Sequence, residues 1–297
     1  MEKLLQLLFS GVALGAVYAL LALGFVIVFK ATQVVNFAHA GLLMVGTYTV
    51  ARVRTAGYPF PAAVLLGIAA AGLTALVVER LLVRPVAHRS VVAVAIMTIG
   101  VDVVLQTEDT RRLGIDIVSV GDPWQSATVE LFGITVPQTR VAALVIAGVL
   151  LGGFFAWSRF TDWGIAMRAS AEDHRTAELM GVRLGRVSAT VWLIAAVLAV
   201  LAGVFLSAFP APGVSPATSA AALRAFPAAI LGGLDSTGGA VVGGLMIGVA
   251  EMLAQGYQED LSFLGEGFSA VMPYLVMVAV LLVRPTGLFG AAEVTRV

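Results

Sequence analysis

The stretch LLQLLFSGVALGAVYALLALGFVIVF, Leu4–Phe29, runs for 26 residues without a charge. A bilayer core about 30 Å thick is crossed by about 20 helical residues, and lipid gives the backbone no hydrogen-bond partner. The stretch therefore reads as a membrane-spanning helix. It is too long for the apolar core of a secretory leader and is expected to stay in the protein. The composition agrees: of 297 residues, 59% are hydrophobic and 12% charged, with a mean hydropathy of +0.97. An ordinary soluble domain carries about 25% charged residues, so a soluble globule is nearly excluded. Eighteen basic and eighteen acidic residues cancel, and nothing in that balance points to nucleic acid. With no cysteine, thiol catalysis, Cys-ligated zinc and disulfides are excluded.

Outward from that stretch, further uncharged runs predict more helices. Ala31–Ala51 and Thr55–Val78 give the second and third, separated by Lys30 and then by Arg52 and Arg54. Ser90–Gln106 gives a fourth, with one internal acid at Asp102, and Val141–Ser158 a fifth. From Val187 no charge appears until Arg224, but Pro210, Pro212, Gly213 and Pro216 end the sixth helix near Phe209. Ala222–Leu234 is too short to span comfortably and contains Pro227; Gly239–Gln255 and Phe268–Val283 complete the set. The fold class is all-α: a polytopic helical bundle of eight full spans plus one short or re-entrant segment. Small-xxx-small steps at Gly11/Gly15, Gly148/Gly152, Gly239/Gly243 and Gly244/Gly248 suit close helix packing within the chain.

Lys and Arg favour cytoplasmic loops. Arg80, Arg84 and Arg89 lie in one loop, and five arginines lie in the segment Arg159–Arg186; both are expected inside. Glu108–Gln138 carries Glu108, Asp109, Asp116, Asp122 and Glu130 against Arg111 and Arg112 and is expected outside. Counting onward places the acidic Glu259–Glu266 loop outside and the Arg284 tail inside. Counting backward puts the N-terminus outside, which leaves Arg52 and Arg54 outside as well, against the rule.

The segment Arg159–Arg186 is amphipathic. Ile165, Arg168, Ala169 and Glu172 fall at helical spacing, and Ala177, Leu179 and Met180 form an apolar patch before Gly181, so two short helices with a break near Asp173 are expected. A solvated loop that anchors topology and a docking surface for a cytoplasmic partner are both compatible with this pattern.

Five ordered motifs resemble one family. Gly164, Ala166, Arg168, Ala169, Asp173, Ala177, Leu179, Met180, Gly181 and Val182 resemble the coupling loop of branched-chain amino-acid ABC permeases. Val35–His39 (VNFAH) followed by Gly41, Met44, Gly46 and Tyr48 is the second motif, and Glu79–Pro85 (ERLLVRP) is the third. Ala229–Gly244 (AILGGLDSTGGAVVGG) and Arg284–Gly290 (RPTGLFG) complete them, so the resemblance runs over nearly the whole chain, to the LivH-type member of the permease pair. Two departures stand out. The family usually has glycine directly after the NFAH histidine, where this chain has Ala40 and then Gly41, and Asp102 is not part of the pattern.

The resemblance implies one permease domain over 1–297, with 159–186 as the coupling loop within it. It also implies a second homologous permease, two cytoplasmic ATPase subunits, an extracytoplasmic solute-binding protein and a small-molecule substrate. The latter is a branched-chain or other neutral amino acid, with urea, short amides and small aromatic acids as relatives. Beyond these, the contacts expected are membrane lipid and no nucleic acid. The chain has only Lys3 and Lys30 as lysines and no GxxxxGK[ST], so ATP hydrolysis must come from a partner. ATPase coupling is then expected of Gly164, Arg168, Ala169, Glu172, Asp173, Leu179, Met180 and Gly181, with Met180 seated in a groove and Arg168 and Asp173 fixing orientation.

The translocation pathway is expected to include Asn36, Phe37, His39, Gly41, Asp102, Gly232 and Gly233. Asn36 and His39, three apart, share a helix face; the alternative is a capping Asn and a satisfied interfacial histidine. Asp102 and Glu251 are acids within spans, where a charge costs several kcal/mol unless it faces protein or water. One reading has both acids lining the conduit or binding a substrate ammonium; the other has Glu251 near a helix end and Asp102 neutral or paired, with Arg224 as a candidate, and Glu251 is expected to be structural. The glycines of 232–244 with Asp235, Ser236 and Thr237 predict a turn entering a closely packed helix; a broken helix there could also expose backbone groups to a polar solute. His88 and His174 fall in separate loops and no HExxH occurs, so neither a metal nor a cofactor is expected. The competing function is an ion- or proton-coupled secondary transporter using Asp102 and Glu251. An intramembrane enzyme would need a catalytic constellation that the spans lack, and a structural or receptor-type protein would leave the loop chemistry without a purpose.

Overall fold

The computed structural model describes residues 2–290 apart from 88–89, 115–116, 125–126, 132, 211, 261–264 and 266. Arg89, Asp116 and Glu266, used in the charge reading, and His88, weighed as a metal ligand, lie outside the described residues. The helices are α1 Glu2–Thr32, α2 His39–Thr55, α3 Phe60–Val78, α4 Arg84–Ala87, α5 Val91–Leu113, α6 Gln138–Phe160, α7 Asp162–Glu172 and α8 His174–Leu179. They continue as α9 Leu184–Leu206, α10 Pro216–Leu223, α11 Ala225–Gly232, α12 Thr237–Gly256 and α13 Phe268–Val283. A five-residue π-helical turn, Glu79–Val83, joins α3 to α4.

Six of these segments are long and apolar enough to cross a membrane: α1, α3 with its extension, α5, α6, α9 and α12. Two of the eight expected spans are shorter. α13 has 16 residues, and α2 has 17 because the second helix begins at His39, eight residues later than the uncharged run suggests. Arg52 and Arg54 are no separators; they form the last turn of α2, where cations suit the negative end of the helix dipole. The short segment is two eight-residue helices, α10 and α11, meeting at Arg224. The structure also departs from all-α, because the acidic segment holds an antiparallel hairpin, β1 Thr128–Leu131 and β2 Ile134–Pro137. There the residues of β2 alternate buried and exposed, the period of a half-covered strand.

The core sits around α1. From Ala13 to Val28 its side chains are buried on every face, as a helix apolar all round requires. α12 lies along it through the predicted glycine steps. A Cβ on Gly11 would come within 2.7 Å of Val249 Cα, and one on Gly15 within 2.7 Å of Leu245 Cα; Gly244 and Gly248 face Ala19 and Gly15 in return. Gly239 and Gly243 pack on α11 in the same way. Gly148 and Gly152 depart from the expectation of packing within the chain, with nothing within 4 Å of either on the open face of α6.

The molecule has two distinct ends. At one, Lys3 lies 4.8 Å from the Tyr257 ring, Arg140 donates to Ser10 Oγ, Arg54 packs on Gly121, and Val118 bridges Val214. At the other, the last turn of α1, the π-helical turn, α7, α8 and the start of α9 come together, and residues Leu288 and Phe289 reach back to α11.

Candidate functional site

The break between α1 and α2 is the first functional region. After Gln33, in a left-handed conformation at φ 55°, the chain is non-helical to Ala38. A helix start leaves main-chain donors free, and Ala38 offers α2 no side-chain cap. The donors are met from elsewhere. Asn36 Oδ1 accepts from the Ala38 N–H at 3.0 Å, Thr98 Oγ1 from Phe37 N–H at 3.2 Å, and Asp102 Oδ1 from Gly41 N–H at 2.7 Å. Thr98 and Asp102 stand four apart on one face of α5, and Asp102 thus caps a helix to which it does not belong. Its other oxygen accepts from Gln106 Nε2 at 2.5 Å, and Gln106 Oε1 accepts from Ser219 Oγ at 3.1 Å, extending the chain of bonds to α10. At 1.5 Å per residue, Thr98 and Asp102 lie about 10 Å and 16 Å along α5, a helix long and apolar enough to cross a membrane.

This break gathers Asn36, Phe37, His39, Gly41 and Asp102. The face-sharing expectation for Asn36 and His39 is corrected: Asn36 precedes the helix, in a turn, and only His39 is in its first turn. The turn bond leaves Asn36 Nδ2 free, and both His39 ring nitrogens are likewise buried without a partner. The imidazole is therefore not the satisfied interfacial histidine of the blander alternative. It lies against Gly24, where a Cβ would meet Cε1 at 2.6 Å, and 4.6 Å from the Phe25 ring. Phe226 of α11 bridges Phe25 at 5.3 Å and Phe37 at 5.5 Å.

Gly232 and Gly233 are not part of that cluster. The predicted turn is present at Asp235 and Ser236, with Ser236 capping α12 through Gly239 N–H, while Thr237 already begins the helix. Its backbone is covered, though: Gly232 O accepts from Phe289 N–H at 3.1 Å and Leu231 O from Leu288 N–H at 2.8 Å. Gly233 takes φ 97°, which only glycine adopts readily. Nor does Asp102 meet Arg224. That arginine pairs with Glu251 at 2.5 Å, whose other oxygen accepts from Tyr18 Oη at 2.8 Å, tying α1, α12 and the α10–α11 junction together.

The second region is the segment 159–186. Thr161 caps α7 through Gly164 N–H, and Trp157 stacks on Trp163 at 4.2 Å. α7 and α8 break at Asp173, whose carboxylate caps α8 by accepting from Thr176 N–H at 2.9 Å; that bond holds its carboxyl below the ordinary range. Gly181, at φ 88°, follows the end of α8. Ala177 turns inward while Leu179 and Met180 are each 81% exposed and Ile165 is 58% exposed. Arg168 donates to Ser158 O at 2.5 Å, and Glu172 and Asp173 are on the surface. Gly164 is buried in the α6–α7 corner against Ser158, so it shapes the corner, and Ala169 is half-buried.

Two tethers join this segment to the bundle, and sequence reading missed both. His174 Nε2 lies 3.0 Å from Ala31 O at the end of α1. Glu79, buried in the π-helical turn, accepts from Arg84 Nε and Nη2 at 3.0–3.1 Å and from Ser188 Oγ at 2.8 Å, while Arg84 also donates to Gly185 O at 2.6 Å. Glu79 was visible only as a member of the ERLLVRP motif, and Arg84 there and in the charge reading of its segment. Thr98 had a signal too, standing one helical turn before the internal acid. Among the described residues no cluster of His, Asp and Glu could hold a metal ion.

Comparison with known proteins fits this arrangement. The chain is 32% identical to the high-affinity branched-chain amino acid transport system permease protein LivH of Escherichia coli K12, over 99% of this chain and 97% of that one. It is 29% identical to the corresponding BraD permease of Pseudomonas aeruginosa, over 99% and 98%, and 29% to a probable LivH of Methanocaldococcus jannaschii, over 91% and 88%. No solved structure shows significant similarity. The family model described as branched-chain amino acid transport system / permease component matches residues 7–283, and the chain belongs to that family of multi-span membrane permeases.

Proposed function

We propose that the chain forms half of the conduit of an ATP-driven importer for branched-chain or other small neutral amino acids. The other half is a second homologous permease, two ATPase subunits dock from the cytoplasm, and a solute-binding protein delivers substrate from outside. The observation that carries the coupling part is the exposure of Leu179 and Met180 at the tip of a capped, tethered helix pair. Two large apolar side chains on a polar loop suit a groove on a soluble partner. Motion of α7 and α8 then passes to α1 through His174 and Ala31, and to α3 through Ser188, Gly185, Arg84 and Glu79.

For the pathway, the α1–α2 break is the favoured place. Non-helical backbone at membrane depth is tolerated where it is buried in protein or lines a water-filled cavity. Asn36, Phe37 and His39 supply its polar and aromatic groups, Gly41 and Asp102 hold its backbone, and Gly232 and Gly233 keep the neighbouring turn closed. In this reading α2 and α13 also cross the membrane, giving eight full crossings, and α10–α11 makes a ninth, shorter one. The N-terminus faces outside and the tail after α13 faces the cytoplasm, which agrees with the end of α1 meeting the α7–α8 loop. Against the secondary-transporter alternative stands the engagement of both acids, Asp102 as a helix cap and Glu251 as an ion pair.

The test is uptake by the complete importer in proteoliposomes. Removing a contact worth one buried hot-spot side chain changes an equilibrium about tenfold. Met180→Asp and Arg168→Ala should therefore insert normally yet lower ATP-dependent uptake by about that factor, with hydrolysis surviving. Normal uptake by both variants overturns the docking assignment, and uptake by the chain alone overturns the whole proposal.

A further inference from the structure

Between α3 and α9, at the end of the molecule that carries the α7–α8 loop, lies a hollow of about 380 Å³ lined by Leu76, Arg80, Arg84, Arg183, Arg186 and Ala189. The one acid on its wall, Glu79, is already saturated by Arg84 and Ser188. Among the described residues Arg80, Arg183 and Arg186 have no side-chain hydrogen bond or ion pair, so three exposed arginines line the hollow without a counter-charge of their own. Free arginines around a hollow form a site for a phosphate or carboxylate, which their planar donors grip in pairs.

The surroundings identify the source of the anion. On α3, Leu73 and Val77 are 66% and 46% exposed, and this outward apolar stripe runs through Leu81 to end beside Arg80. On α9, Leu193 and Ala189 lead in the same way to Arg186, since three- and four-residue steps share a face. Two neighbouring helices thus present apolar stripes toward lipid and finish at one level in arginine. A free anion would use the arginines and ignore the stripes. A phospholipid uses both, with its phosphate in the hollow and its acyl chain along the stripes.

We propose that this hollow binds the headgroup phosphate of an anionic membrane phospholipid. The assignment rests on α3 and α9 crossing the membrane; the hollow shares Glu79, Arg84 and Gly185 with the tether of the coupling loop, and the variants below leave that tether and the docking residues intact. The test compares thermal unfolding of the full chain in nanodiscs of phosphatidylcholine alone and of phosphatidylcholine with one-third phosphatidylglycerol. A ligand that binds only the folded state raises its midpoint, here by about 4 °C. The triple variant Arg80→Gln/Arg183→Gln/Arg186→Gln should lose most of that rise while unfolding normally in phosphatidylcholine. A second triple, Arg52→Gln/Arg111→Gln/Arg112→Gln, removes equal charge from the opposite end and should keep the rise. Retention of the rise by the first triple, or its loss by both, overturns the site. Reproduction of the shift by inorganic phosphate in detergent overturns the lipid as its source. An effect of the arginines that appears only when the ATPases are present assigns the hollow to protein contact instead.

Discussion

The α1–α12 seam and the α2–α5 contact each place a carboxylate inside the membrane, and they accommodate it by opposite means. Along the seam, glycines bring two backbones together, and Glu251 is enclosed with a cation from the α10–α11 junction and a hydroxyl from α1. At α5, Asp102 meets no cation among the described residues. Its partners are a main-chain N–H at the start of a helix and an amide one turn along its own helix, while Val103 and Val104 beside it are 58% and 67% exposed. The first arrangement locks three segments into a frame. The second holds open a break whose Asn36 and His39 still have polar atoms to offer. An acid in a span is therefore a weak guide to function on its own, because the partner decides whether it is frame or hinge.

The largest effect should come from removing the frame's charge. Glu251→Ala leaves Arg224 without an anion and Tyr18 without an acceptor. Breaking a buried pair from one side costs about 3–5 kcal/mol, and because Arg224 keeps 24% exposure the lower end is expected. Thermal unfolding in detergent measures it, with Glu251→Gln recovering part; a cost no greater than that of the α5 variants would erase the distinction. Next comes the seam itself. Gly248→Val drives a side chain onto the Gly15 backbone, and overpacking of that kind costs about 2 kcal/mol. Gly148→Val, with the same sequence spacing but open space around it, should leave the midpoint unchanged.

That pair of glycines also marks how far the sequence could be read. Membrane class, most helix positions, the Asp173 break and the 233–236 turn follow from charge-free runs, caps and glycines, which are local signals. Gly11 and Gly148 carry the same small-xxx-small pattern, and only the fold determines which of them meets a neighbour. The α1–α2 break escaped for a related reason: the uncharged run from Ala31 continues through it, and the acceptors that stabilise it, Thr98 Oγ1 and Asp102 Oδ1, lie 61 residues away on α5. Glu79 is similar, since its partner Ser188 is 109 positions distant. Arg224 was the candidate cation for Asp102, and it pairs with Glu251 instead, a choice that composition alone had no means of making.

Smaller effects are expected at the hinge, and they sharpen the contrast more than the large ones. Thr98→Val removes the acceptor of Phe37 N–H and leaves a buried donor unpaired, which costs about 1–2 kcal/mol. Asp102→Asn is gentler. Its carbonyl oxygen still accepts from Gly41 N–H, and what is lost is the charge at a helix start and the bond from Gln106, together under about 1 kcal/mol. If Asp102 acts only as a cap, uptake by the reconstituted importer should stay near normal in Asp102→Asn and fall in Asp102→Leu, which cannot accept. Loss of uptake in Asp102→Asn, with the midpoint preserved, would mean that the carboxylate charge itself is used during transport. The α5 acid would then belong to the pathway lining beside Asn36 and His39, whereas Glu251 would remain part of the frame.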